Sequence, residues 1–181
     1  MPIDADRLFR EYHETLVRYL TRRLGDRDWA EEVTQETFIR ALRQDVIVNE
    51  RSWLFAVASN LVRDEARKTT RQRQHLQLLA AEEREREQEL PTQAEDEVEL
   101  TAERARETAL ARRALESLGE RDRQALLLKA EGLNYDEISE VLQIEKASVG
   151  TTLSRARRRL ADTYDALQAQ TGQIGSGHVA S

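Results

Sequence analysis

Apolar residues recur every three or four positions along most of this chain, the spacing that places them on one face of a helix. The clearest run covers residues 8–24 and ends at Gly25, a residue type that commonly terminates helices. Residues 30–42 and 53–62 repeat the pattern, whereas a strand signal is confined to the short run 46–48. The first half is therefore predicted to form three helices.

The second half shows the same periodicity in four segments. Asn134, followed by Glu137 three residues later, has the spacing of a capping box at the start of one of them. The predicted fold class is all-α, with two small helical domains joined by a linker. The four predicted helices cover residues 105–118, 120–130, 135–142 and 146 to about 167.

An acidic segment separates the two halves. Residues 75–103 carry ten acidic and two basic residues, and Pro91 interrupts the helix formers that precede it. This composition buries too little apolar surface to offset the entropy of ordering, so the segment is predicted to be a linker that is partly helical at its start and broken at Pro91. The alternatives are a disordered segment and a solvated charged helix that joins the two halves. The predicted boundaries are 1–74 for the N-terminal domain, 75–104 for the acidic linker, 105–168 for the C-terminal domain and 169–181 for a flexible tail.

Composition excludes several classes of protein. The chain has 181 residues and no cysteine, which excludes disulfide frameworks and Cys-ligated zinc sites. No apolar run is long enough to span a bilayer, and the acidic N-terminus lacks a signal-peptide core, so a cytoplasmic location is expected. The net charge of −6 argues at first against nucleic acid. However, residues 75–103 alone carry −8, which leaves the rest of the chain at +2.

No catalytic site is predicted. His13, His75 and His178 lie in different segments, where each is expected to be a surface residue rather than a metal ligand. The chain has no glycine-rich phosphate loop and no nucleophile motif. We therefore expect neither enzymatic activity nor a cofactor or bound metal.

Residues 133–160 have the spacing of a helix-turn-helix, whose second helix enters the DNA major groove. Residues 131–145 carry five acidic groups and no basic one, whereas residues 146–160 carry five basic groups and no acidic one. The residues predicted to face inward are Tyr135, Ile138 and Leu142 from the first helix, and Val149, Leu153, Ala156 and Leu160 from the second, with a tight turn at 143–145.

The outward positions of the second helix are small and polar near its start, which lets a helix approach base edges closely. The arginines that follow, Arg155, Arg157, Arg158 and Arg159, could neutralise phosphates. The alternative is an ordinary helical hairpin with a solvated arginine face. The predicted outward positions are Ser148, Gly150, Thr151, Thr152, Ser154 and Arg155.

The third predicted helix continues into a basic stripe suited to a phosphate backbone, formed by Arg63, Arg67, Lys68, Arg71 and Arg73. Trp53 could stack on an unpaired base or pack in the core. Asn60 could hydrogen-bond a flipped base or face solvent. Glu31, Glu32 and Glu36 form an acidic helix face, which by default is simply solvated.

Three stretches, in order, resemble bacterial RNA polymerase sigma factors of the extracytoplasmic-function (ECF) group. Residues 28–42, DWAEEVTQETFIRAL, are similar to the family segment D-A-E-D-L-V-Q-E-T-F-L-R-A. Residues 53–68, WLFAVASNLVRDEARK, are similar to a segment with W-L, then N, D and R. The helix-turn-helix is the third stretch, and the resemblance covers about 70% of the chain.

The resemblance implies three sets of contacts. Core polymerase would contact Asp28, Glu31, Glu32, Gln35, Glu36 and Phe38. The −10 promoter element would contact Asn60, Arg63, Asp64, Arg67, Lys68 and Arg71. The −35 element would contact Ser148, Gly150, Thr151, Thr152, Ser154, Arg155, Arg157 and Arg158. The chain departs from the family at Gly150 and Thr152, where basic residues are common, and at Gly119, where proline is common.

The resemblance also implies a function. The chain would bind core RNA polymerase, recognise both promoter elements, promote DNA opening and pair with an anti-sigma factor. The alternative from another class is a stand-alone helix-turn-helix regulator that acts as a dimer. A helical adaptor without a nucleic-acid role is disfavoured by the basic second helix.

Overall fold

The computed structural model describes residues 4–79 and 100–175, and the side chains of residues 4–66 and 103–170. These residues form seven α-helices and contain no strand. The prediction of an all-α fold is confirmed. The helices are α1 (Ala5–Leu24), α2 (Arg27–Ala41), α3 (Glu50–Leu79), α4 (Leu100–Glu116), α5 (Glu120–Ala130), α6 (Tyr135–Leu142) and α7 (Lys146–Gly175).

Helix ends in the first half follow the capping residues in the sequence. The carboxylate of Asp4 accepts a hydrogen bond from the Arg7 amide at the start of α1, and Asp26 accepts one from the Trp29 amide at the start of α2, each at 3.0 Å. Gly25 ends α1 in the left-handed conformation, with φ of 75°. The predicted stop at Gly25 is confirmed.

The start and end of α6 are fixed by local chemistry. The backbone amide of Glu137 donates to the side-chain oxygen of Asn134 at 2.9 Å, and the backbone amide of Asn134 donates to the Glu137 carboxylate at 2.7 Å. This confirms the capping box. Gln143 ends the helix with φ of 54°, which produces the tight turn predicted before α7.

Helices α4 and α7 are longer than predicted, and α3 enters the start of the linker, where helix was predicted. Helix α3 continues through Leu79, α4 begins at Leu100, and α7 continues through Gly175, so all three enter segments predicted to be linker or tail. Residues 75–79 and 168–170 consist mainly of Leu, Ala and Gln, which favour helix. The remaining linker residues, including Pro91, lie outside the described residues.

The two halves share one apolar core. Helix α1 packs on α2 and α3 in the first half, and α7 packs on α4, α5 and α6 in the second. Helix α3 also packs on α6, and α1 on α5, so buried residues from Leu8 to Leu153 form a continuous cluster. The described part of the chain is thus a closed arrangement of its two halves.

Most predicted core positions of the helix-turn-helix are buried, with exceptions at the edges. Ile138 is fully buried, but Tyr135 is 41% exposed, and Val141 takes the inward position instead. Tyr135 occupies the first turn of α6, where its ring lies 5.5 Å from the Lys129 ammonium. The prediction that Tyr135 faces inward was therefore wrong.

Candidate nucleic-acid and polymerase interfaces

An acidic surface runs along α2. Asp28, Glu32 and Gln35 are exposed, whereas Glu31 and Glu36 are half-buried. Salt bridges within the helix join Glu31 to Arg27 at 3.0 Å and Glu36 to Arg40 at 2.8 Å. These five residues, Asp28, Glu31, Glu32, Gln35 and Glu36, are named the α2 surface below. A shallow groove beside it is lined by Trp29, Glu32, Val33, Glu36, Leu61 and Glu65.

Phe38 does not belong to this surface, which corrects its predicted docking role. Its side chain is buried, and its ring centroid lies 5.2 Å from that of Phe9 and 6.2 Å from that of His13. An aromatic ring on the inner face of an amphipathic helix is more stable in the core than in water. His13 is half-buried beside Phe9, with 4.2 Å between the ring centroids.

Helix α3 carries the predicted −10 residues. Asn60 and Arg63 are half-buried, and the Arg63 guanidinium donates to the Asn60 side-chain oxygen at 3.2 Å. Asp64 is exposed on the next turn. The side chains of Arg67, Lys68, Arg71 and Arg73 lie outside the described residues, although their backbone continues α3. Trp53 is half-buried and packs against the core, in agreement with its structural interpretation.

The outward face of α7 presents a short polar surface followed by arginines. All of its members are exposed. Small hydroxyl side chains before a cationic run suit a helix that enters a groove and contacts the flanking phosphates. This α7 surface consists of Ser148, Thr151, Ser154, Arg155, Arg157 and Arg158.

Thr152 and Gly150 were predicted to lie on the exposed face of α7, but neither belongs to it. Thr152 is only 5% exposed, and its hydroxyl donates to the Ser148 carbonyl at 2.8 Å. It shares the helix face of the buried Val149 and Leu153, a spacing that the sequence already contained. Gly150 is half-buried, and a Cβ at this position would lie 3.6 Å from the Tyr135 ring.

Polar contacts between the halves were not predicted. The Glu131 carboxylate, with a side chain 1% exposed, accepts hydrogen bonds from Arg18 at 2.6 Å and from Arg22 at 3.0 Å. The hydrogen bond and charge of Glu131 raise the pKa of Arg18. More than a hundred residues separate Glu131 from either arginine, so no local sequence pattern could reveal the pairing.

A second polar cluster lies beside the first. Arg23, with a side chain 3% exposed, donates to Glu120 at 2.6 Å and to the Tyr19 hydroxyl at 3.3 Å. The Tyr19 and Ser59 hydroxyls are 3.1 Å apart, and Gln124 donates to Ser59 at 2.8 Å. Burial raises the pKa of Glu120, but Arg23 and Arg123 outweigh this effect and lower it overall.

The start of α3 contacts the C-terminal half directly. Asn49 donates to Glu140 at 3.2 Å, and the Ser52 hydroxyl donates to the same carboxylate. Arg51 donates to the backbone carbonyls of Glu131 and Gly132. The helix that carries the predicted −10 residues is therefore held at its first turns by α6 and the turn before it.

The described residues contain no group of His, Asp and Glu side chains placed to hold a metal ion. Within the same residues, no helix combines the length and apolarity needed to cross a membrane. The surfaces that the structure does present are charged helix faces, which are suited to macromolecular partners.

Comparisons with known proteins agree with this organisation. Sigma-70 region 2 matches residues 8–72, and Sigma-70 region 4 matches residues 108–160, so the two matches together span more than half of the chain. The first contains the α2 surface and all six predicted −10 residues, and the second contains the helix-turn-helix.

Two relatives match along most of this chain, which spans less than two thirds of the length of the first of them. The ECF RNA polymerase sigma factor SigE of Mycolicibacterium smegmatis is 29% identical over 93% of this chain, and the match spans 64% of SigE. The sigma factor YlaC of Bacillus subtilis is 27% identical over 84% of this chain and 87% of its own length.

A solved structure shares the fold. The sigma factor RpoE of Bartonella quintana, crystallised with the anti-sigma factor NepR, matches with a TM-score of 0.65 and 20% identity. The match covers 90% of this chain and 97% of RpoE. From the two family matches and these relatives, the chain belongs to the ECF group of bacterial RNA polymerase sigma factors.

Proposed function

We propose that this chain is a transcription initiation factor that binds core RNA polymerase, recognises the −35 and −10 promoter elements and promotes promoter opening. The observation that carries the proposal is the presence, in one chain, of two exposed helix surfaces of opposite charge in separate sigma regions. The acidic α2 surface lies in region 2, and the basic α7 surface lies in region 4.

The α2 surface is the proposed docking site for core polymerase. Its carboxylates are presented on one rigid helix, and the neighbouring groove supplies Trp29 and Leu61 as apolar contacts. An interface of this kind combines a partly apolar centre with a charged rim, so its partner should be a basic protein surface. Phe38 contributes by packing behind the helix rather than by contact.

The −10 element is proposed to bind along α3. Asn60 offers a side-chain amide for a base edge, and the stripe formed by Arg63, Arg67, Lys68 and Arg71 would track the phosphates, with Asp64 beside it. Extruding a base costs a few kcal/mol of stacking. Binding of the separated strand on α3 would offset that cost, so opening needs no enzymatic step.

The −35 element is proposed to bind the α7 surface. Ser148, Thr151 and Ser154 lie where a recognition helix approaches base edges, and Arg155, Arg157 and Arg158 flank them. We assign phosphate contacts to the arginines and groove contacts to the hydroxyls. Thr152 supports α7 from inside instead of touching DNA.

The proposed domain organisation is 1–74 for polymerase and −10 binding, 75–104 for the linker and 105–168 for −35 binding. An anti-sigma factor is a proposed further partner, because the RpoE structure that shares this fold was solved with one. The proposed place of action of this chain is the cytoplasm, where core polymerase is found.

The test is run-off transcription with purified core polymerase on a genomic promoter library, with start sites sequenced. We expect start sites downstream of one shared pair of elements, and much tighter promoter binding with core polymerase than without it. Equal promoter affinity with and without core polymerase in a gel-shift assay would contradict the proposal.

Charge reversal on α2 refines that test. Glu32→Lys should reduce run-off product because it places a cation against the basic polymerase surface. The matched control is Glu116→Lys, which reverses an exposed acidic residue on α4 that belongs to none of the three proposed contact surfaces. Equal losses in both variants would remove the docking assignment.

A further inference from the structure

Charged residues join the two halves in a way that only the closed arrangement satisfies. We propose that Glu131 and Glu120 of the C-terminal half lock the chain closed by binding arginines of α1, and that this interdomain lock must open for promoter binding. The lock is defined as Glu131 with Arg18 and Arg22, and Glu120 with Arg23. The inference rests on the proposed function for its consequence, but the lock itself can be tested without polymerase.

Glu131 is the strongest part of the lock. Its buried carboxylate receives hydrogen bonds from both nitrogen positions of Arg18 that face it, Nε and Nη2, and a further one from Arg22. A buried carboxylate is costly unless it is paired, so Glu131 favours the arrangement that brings α1 against it. Arg18 and Arg22 are about half exposed, and salt in the solvent can therefore screen the pairs.

Part of the contact between the halves is polar, beside the apolar core residues that they share. Tyr19, Ser59 and Gln124 are buried in the closed state through hydrogen bonds to one another. Water can replace those hydrogen bonds when the halves separate, so exposing these groups costs less than exposing apolar side chains of the same size. Interfaces between mobile domains are typically more polar than domain cores for this reason.

In the closed state, the distance between the two DNA-binding helices is too short to bridge the two promoter elements. Two elements about 25 base pairs apart are separated by about 85 Å, at 3.4 Å per base pair. Ser52 hydrogen-bonds Glu140, and Asn60 lies about 12 Å further along α3. Thr151 follows Glu140 by eleven residues, which reach about 40 Å at most. Asn60 and Thr151 thus stay within roughly 60–65 Å while these contacts hold, and bridging requires them to break.

The first experiment measures the distance between the halves in the free chain. Because the chain has no cysteine, Asp45→Cys and Ala161→Cys, both at exposed positions, allow specific labelling with a fluorescent donor and acceptor. We expect high energy transfer in the parent chain at low salt, and a shift to low transfer in Glu131→Gln. We also expect transfer in the parent chain to fall as NaCl rises from about 50 mM to about 1 M.

Matched variants separate the lock from general damage. Arg18→Gln combined with Arg22→Gln removes the solvent-exposed partners of Glu131 and should also open the chain. Adding Glu131→Gln to it should open the chain little further, because all three residues belong to one interaction. Glu116→Gln, which removes a salt bridge within α4, should leave energy transfer unchanged. Circular dichroism checks that every variant keeps its helical content.

The second experiment links the lock to polymerase. If the closed state holds about 90% of the free chain, opening should raise the apparent affinity for core polymerase and promoter about 10-fold. Glu131→Gln is therefore expected to need less protein for half-maximal run-off product.

The outcomes distinguish the two proposals. Energy transfer that does not respond to salt or to the Glu131 and Arg18/Arg22 variants overturns the lock, even if run-off transcription succeeds. Energy transfer that responds while no run-off product forms with any promoter supports the lock and overturns the proposed function. An open variant with unchanged or weaker affinity for polymerase overturns the claim that closure limits binding.

Discussion

Two helices carry the proposed DNA contacts, and they differ in how much of their surface is exposed in the closed chain. The α7 surface is exposed along its whole length, from Ser148 to Arg158. Helix α3 is held at Asn49 and Ser52 by Glu140, and its Ser59 is buried beneath Gln124. The first proposed −10 residue, Asn60, follows Ser59 directly. The α7 surface is thus exposed in the closed chain, whereas Asn60 and Arg63 of α3 are half-buried.

This difference suggests an order of events. A recognition helix that needs only to enter a groove can be completed within its own domain. The contacts that cover the start of α3 come from the other half of the chain, so they disappear when the halves move apart.

The largest expected effect comes from the support beneath the α7 surface. Leu153 is 1% exposed, so Leu153→Ala should destabilise the C-terminal half by about 2–5 kcal/mol through lost burial and a residual cavity. Urea unfolding followed by circular dichroism measures it. Ser154→Ala, the exposed neighbour, is the control and should change stability by less than about 0.5 kcal/mol. Similar losses in both would contradict the assigned faces of α7.

The two faces of α7 show how much of the structure the sequence predicts. Helix positions and the capping box at Asn134 followed from local spacing, and the structure agrees with them. Thr152 is polar but lies beside Val149 and Leu153, so its helix position rather than its polarity determines its burial. Phe38 lies on the inner face of α2, which the family segment alone does not distinguish from the exposed face. Glu131 could not be found, since its partners lie over a hundred residues away.

The next effect concerns charge on the two helices. In the free chain, Arg157→Ala should lower the slope of DNA affinity against salt by about one unit, because one phosphate contact is lost. Arg63→Ala should leave that slope unchanged until core polymerase is added, because α3 engages DNA only in the open complex. Fluorescence anisotropy over a salt series measures both slopes.

Arg40→Ala is the control for this pair, since Arg40 is an exposed arginine paired with Glu36 on α2. Arg40→Ala should leave the slope of DNA affinity against salt unchanged in the free chain. If Arg63→Ala lowers the slope of the free chain as much as Arg157→Ala does, the proposed difference between α3 and α7 is wrong.

A smaller effect is expected at the helix that positions α7. Asn134→Ala removes the hydrogen bond to the Glu137 amide and should cost about 1 kcal/mol of stability. Asn134→Ser retains an oxygen acceptor and should recover most of the loss. Urea unfolding of both variants is the measurement, and equal losses would show that the cap contributes little here.

The smallest effect separates folding from recognition at Gly150. A Cβ there would meet the Tyr135 ring at 3.6 Å, an ordinary contact, and alanine is favoured over glycine inside a helix. Gly150→Ala should therefore raise the free energy of unfolding by about 0.5–1 kcal/mol. If close approach of α7 to DNA depends on the missing side chain, affinity for the −35 element should fall although the fold becomes more stable. A stabilised variant with unchanged affinity would show that Gly150 lies outside the contact surface, as its half-buried position against Tyr135 suggests.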